Sequence, residues 1–134
     1  MIESLFEKIQ EHLSMLDLAV SSSEKIRAFA ARNNLDGVVD ETENRERIVN
    51  IVTTIQGSVE NQINCLNPVD INQDGGLILK AWFSDLNIWS DKMLALDRET
   101  VELLGQQKED ATKEIALLFK NKEMFKGYGQ LGKK

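Results

Sequence analysis

In Ile2-Glu3-Ser4-Leu5-Phe6-Glu7-Lys8-Ile9-Gln10-Glu11-His12-Leu13-Ser14-Met15-Leu16, apolar residues return at helical intervals and charged ones fall between them. The series Leu5, Ile9, His12, Leu16, Ala19, Ser23, Ile26 and Ala30 continues it at alternating steps of four and three. That repeat winds one stripe along an α-helix, and it predicts a first long helix over residues 1–33. Ser21, Ser22 and Ser23 interrupt the run. Their hydroxyls compete for backbone hydrogen bonds, which predicts a local bend. Asn33-Asn34 supplies residues that tolerate the left-handed turn at a helix end. Leu35-Asp36-Gly37 makes a short connection, so the next helix returns antiparallel.

The second helix is predicted over residues 36–66, with Ile48, Val52, Ile55, Val59, Ile63 and Leu66 as its buried face. Its acidic start, Asp36, Asp40, Glu41 and Glu43, complements the positive end of the helix dipole. The segment from Val49 to Ile55 is rich in β-branched residues and also suits a strand. The spacing from Ile48 to Leu66 favours helix. Asn67-Pro68 ends it, because the residue before proline avoids the helical region. Beyond the loop Asp70–Gly76, the series Leu79, Trp82, Leu86, Trp89, Met93, Leu96, Thr100 and Leu103 predicts a third helix over 77–126. Asp97 as a cap or Gly105 as a weak point offers two places for that helix to split. Residues 127–134 are read as a flexible basic tail. The expectation is one all-α domain spanning 1–134, an elongated antiparallel bundle of three long helices, the last either whole or broken in two.

Composition narrows the function. The chain has 134 residues, 42% hydrophobic and 28% charged, with one proline and a net charge of −6. An acidic surplus argues against sequence-independent binding to nucleic acid, which requires excess lysine and arginine. Charge is uneven, however. Residues 113–134 carry six lysines against Glu114 and Glu123, leaving the tail at +4 and the body at −10. The tail is therefore expected either to fold back onto the body or to meet an acidic partner. The N-terminal sequence lacks a basic start and an unbroken apolar run, and no segment approaches membrane-spanning length, which predicts a cytoplasmic protein without membrane insertion.

No motif demands catalysis. Cys65 is the only cysteine and His12 the only histidine, so no cysteine-based metal cluster and no histidine pair can form. Asp70-Ile71-Asn72-Gln73-Asp74-Gly75 imitates the start of a calcium loop, yet the twelfth position is Ala81, where a bidentate glutamate closes the shell. The segment is read as a turn and helix start. A phosphohistidine role for His12 requires an exposed ring, but its place on the Leu5–Leu16 stripe predicts burial. No cofactor, metal or catalytic residue is expected. The cluster Trp82, Phe83, Ile88, Trp89, Met93 and Leu94 is wider than a single narrow stripe. It serves either as core or as a groove that receives an amphipathic helix.

Three stretches carry a likeness: Leu35-Asp36-Gly37-Val38-Val39 leading to Glu43-Asn44-Arg45-Glu46-Arg47-Ile48-Val49; Met93-Leu94-Ala95-Leu96-Asp97-Arg98-Glu99-Thr100-Val101-Glu102-Leu103-Leu104; and Lys113-Glu114-Ile115-Ala116-Leu117-Leu118-Phe119-Lys120-Asn121-Lys122, closing at Tyr128. In this order the chain resembles the bacterial flagellar export chaperones of the FliT/FlgN class. The resemblance implies a cytoplasmic type III secretion chaperone that binds a filament-cap or hook-junction subunit, prevents its premature assembly and delivers it to the export apparatus. On this reading the apolar groove is the client contact, through Trp82, Phe83, Leu86, Trp89 and Met93. The resemblance also implies an autoinhibitory last helix bearing Leu103, Ile115, Leu118 and Phe125, and docking to the export gate through Tyr128. The other reading of the same stripes is a self-associating scaffold bundle, a homodimer without an export client.

Overall fold

The computed structural model describes the backbone of residues 2–133 and the side chains of residues 2–117. Three α-helices follow one another, α1 (Ile2–Ala31), α2 (Leu35–Cys65) and α3 (Gln73–Lys133), with a single 3₁₀ turn at Pro68–Asp70 before α3. There is no strand among the described residues, and the expected all-α bundle is the fold. At 1.5 Å per residue the 61-residue α3 is about 90 Å long, twice the length of either partner.

The turns are built as the asparagines suggest. Asn33 takes the left-handed conformation at φ 56, and the Asn34 side chain accepts from the Gly37 N–H at 3.0 Å, capping α2. Gly37 is needed here for space. A Cβ on it would stand 2.7 and 2.8 Å from two ring carbons of Phe29. Gly57, in the middle of α2, has nothing within 4 Å of such a Cβ. Alanine is expected to act oppositely at the two sites. Gly57→Ala raises stability by about 0.5–1 kcal/mol through helix propensity, whereas Gly37→Ala lowers it by about 1 kcal/mol because overpacking outweighs the same gain. Urea midpoints that move in the same direction would contradict this.

The start of α3 differs from the sequence expectation of residue 77. Asn72 accepts from the Gly75 N–H at 2.6 Å through its side chain, and its carbonyl accepts from the Gly76 N–H at 3.0 Å. The helix can therefore begin at Gln73, inside the loop that imitates a calcium site. Nor does α3 split. Asp97, the proposed cap, is instead paired with Arg45 of α2 at 2.7 Å, and Gly105 sits within continuous helix. The helix runs on through residues 127–133, the stretch read as a tail. Helix α1 is continuous through the serine run. The Ser22 hydroxyl donates to the Glu41 carboxylate at 2.8 Å and Ser23 donates to the Met93 sulfur at 3.3 Å, so neither competes for its own backbone.

Pairings fix the directions. Lys8 meets Ser58 and Ser22 meets Glu41, so α2 runs antiparallel to α1. His12 meets Trp82 and Arg27 meets Glu99, so α3 runs parallel to α1. Helix α1 lies closely against both others, while the backbones of α2 and α3 stay apart. Every member of the α1 stripe is accordingly buried. Leu5, Ile9, Val59, Leu79 and Trp82 form the core where the three helices meet, with Phe6, Leu13, Ile55, Ile63, Leu66, Ile71 and Leu86 packed around them.

Candidate functional site

The candidate site is the seam between α1 and α3, because its two surfaces are joined in an unusual way. The α1 stripe is narrow and partly polar, with Ala19, Ser22, Ser23 and Ala30 all buried beside Leu16 and Ile26. Onto it α3 places a series of side chains that each find a polar partner. The Trp82 indole N–H donates to His12 Nδ1 at 3.0 Å, and the Trp89 indole N–H donates to the Leu16 carbonyl at 3.0 Å. Met93 receives the Ser23 hydroxyl, Glu99 pairs with Arg27 at 2.8 Å, and Gln107 donates to the Ala30 carbonyl. The α1–α2 interface covers Ile48, Val52, Ile55, Val59 and Ile63 of α2 and is crossed by the Lys8–Ser58 and Ser22–Glu41 hydrogen bonds. Polar contacts along a helix seam fix register more than they add stability.

At the centre of the seam, His12 and Trp82 are both 0% exposed. Their rings meet edge-on with centroids 5.6 Å apart. Because Nδ1 accepts from Trp82, the imidazole is the tautomer protonated at Nε2, and that nitrogen has no hydrogen-bond partner. Burial holds the His12 pKa below its ordinary value, opposed by the Val52 carbonyl and the Glu60 carboxylate of α2. Near the helical turn, burial pushes Glu41 up. Hydrogen bonds from Asn44 and Ser22 and the charge of Lys25 outweigh it, leaving the carboxyl below its usual value.

The five residues read as a client surface do not share one face. Trp82 and Met93 belong to the interior, because the helical stripe turns them onto α1. Leu86 and Trp89 are half-buried at the edge of the seam. Phe83 is 50% exposed, its ring 4.9 Å from that of Trp82. Beside Trp89 the helices leave a groove of about 410 Å³ lined by Leu13, Val20, Ile88 and the charged Asp17, Asp85 and Lys92. A larger groove, about 720 Å³, opens between α1 and α2 over Thr53, Thr54, Gly57, Ser58, Asn61 and Cys65. Sequence periodicity did not single it out, because most of its lining residues lie off the apolar stripe of α2.

Of the residues read as an autoinhibitory helix, Leu103 is half-buried and Ile115 is 52% exposed. The side chains of Leu118, Phe125 and Tyr128 lie outside the described residues. From Lys108 to Leu117 every side chain is exposed, since Gln107 already reaches the last turn of α1. Among the described residues no group of three or more His, Cys, Asp or Glu side chains is arranged to hold a metal ion. No described helix is long and apolar enough to cross a membrane.

No family model matches the chain, and no curated protein or solved structure matches it either. The seam itself is therefore the basis for reading function.

Proposed function

We propose that the protein is a binding protein rather than an enzyme, a cytoplasmic chaperone of flagellar type III secretion. Its client is a filament-cap or hook-junction subunit, which it holds before assembly and hands to the export apparatus. The observation that carries this reading is the α1–α3 seam. A helix held by register-setting polar contacts over small residues, with no close backbone neighbour on α2, is the element best suited to be exchanged for another amphipathic helix. The client helix takes the place of α3 along Leu16, Ala19, Ser23 and Ile26, and meets Trp82, Trp89 and Met93 as the seam opens. Phe83 and Leu86 offer the first apolar contact at its edge. Tyr128 is the proposed contact with the export gate.

Truncation tests the exchange. Deleting the residues beyond Asp97 removes Thr100, Leu103 and Gln107 from the seam. It is expected to raise affinity for the client about tenfold, an ordinary size for intramolecular competition, while delivery weakens. Calorimetric titration of a cap or hook-junction subunit into both forms measures the affinity. Equal affinities would remove the competition, and failure of every such subunit to bind would remove the chaperone reading.

A self-associating scaffold is favoured by one separate observation. Ile115 and Leu117 are 52% and 60% exposed on a helix that has passed the end of its own hairpin, and a second copy is one way to cover them. Light scattering separates the readings: a scaffold stays assembled when a client is added, whereas a chaperone trades partners.

A further inference from the structure

We propose that His12 is a proton-sensitive latch on the seam: its protonation releases α3 from the α1–α2 hairpin while the hairpin stays folded. The inference stands on the geometry of the buried pair and does not depend on the identity of any client.

His12 faces a different kind of group on each side. Toward α3, Nδ1 must be bare, because it accepts the Trp82 indole N–H. Toward α2, Nε2–H has no hydrogen-bond partner, and the Val52 backbone favours the protonated ring. A proton added to Nδ1 sets two N–H donors against each other inside the core, and the indole cannot accept. The α2 side meets no such conflict, since an Nε2–H is present in both protonation states. Among the described residues, the charge acting on His12 from α2 is the Glu60 carboxylate, which favours the cation. Helix α3 faces it with the neutral indole of Trp82. The cost of protonation therefore falls on the α1–α3 contact.

The direction with pH follows. Burial keeps the His12 pKa in the closed form below its ordinary 6.5, so the open form binds the proton more readily. The closed seam keeps its full stability above about pH 6.5 and loses it as pH falls below that value toward the depressed pKa. Helix α3 also carries Glu99 and Asp97, which pair with Arg27 of α1 at 2.8 Å and with Arg45 of α2 at 2.7 Å.

The test uses the full chain. Both tryptophans lie on the seam, so their emission reports its opening. Between about pH 7 and 5, the emission is expected to shift to the red. Amides of α3 between Leu79 and Gln107 should lose exchange protection while those of α2 between Ile48 and Ile63 keep it. In His12→Asn the amide oxygen can accept from Trp82 but does not titrate, and this pH response should vanish. The proposal is overturned if emission holds steady down to the carboxylate range, if wild type and His12→Asn respond alike, or if α2 and α3 lose protection together. Should His12→Asn fail to fold, nuclear magnetic resonance of the wild-type imidazole decides. Protonation of that ring with the Trp82 indole resonance unmoved would also overturn the latch.

Discussion

Replacing Trp82 with alanine is expected to lower the stability of the fold by about 3–5 kcal/mol, the cost typical of removing a fully buried aromatic side chain. Trp82 is 0% exposed and sits where Leu5 and Ile9 of α1, Val59 of α2 and Leu79 of α3 converge. Its loss leaves a cavity shared by all three helices. It also leaves His12 Nδ1 without its donor inside the core, a second penalty that a cavity alone does not carry. Trp82→Phe separates the two. It keeps most of the apolar volume and removes the N–H, and the expected loss is about 1–3 kcal/mol. Chemical denaturation of the two variants beside wild type measures both steps. An alanine variant with an unchanged midpoint would mean that the three helices do not meet at this residue.

The second large effect is expected at Ala19. It is 0% exposed and lies one turn from both Leu16 and Ser23, whose atoms meet Trp89 and Met93 of α3. A methyl group at this position lets the two helices close. Ala19→Leu forces extra methylenes between them and should cost about 1–3 kcal/mol, together with weaker protection of α3. The neighbouring Leu18 is 51% exposed, so Leu18→Ala should change stability by no more than about 0.5 kcal/mol. The order is the reverse of what side-chain size suggests. A stable Ala19→Leu variant with an undisturbed seam would refute the close approach.

The helical stripes as far as Leu103 were legible in the sequence, because a helix must hide its apolar positions and their spacing is written along the chain; Ile115, read on the same stripe, is exposed. Leu79, Trp82, Leu86, Trp89, Met93, Leu96, Thr100 and Leu103 were read as one face, and each is buried or half-buried. Breaks were less legible. Asp97, Gly105 and the serine run have local preferences that disfavour continuous helix, but Arg45, Glu41 and Met93 from other parts of the chain give Asp97, Ser22 and Ser23 different partners. Local propensity is a weak guide once such a partner arrives. The candidate surface was read only in part. Trp82 and Phe83 are adjacent in sequence, and one is sealed in the core while the other is half open.

Sequence by itself determined that the chain is helical, where its three helices turn, and that His12 lies on a buried stripe. These follow from periodicity and turn chemistry within a few residues. Only the tertiary structure decided which helix faces which. It placed α1 between the other two, joined α3 to it through hydrogen bonds as well as apolar packing, and set His12 against the Trp82 indole. Those pairings join residues up to 77 positions apart, and no short-range pattern encodes them, because a helical stripe specifies that it must be covered but not by what.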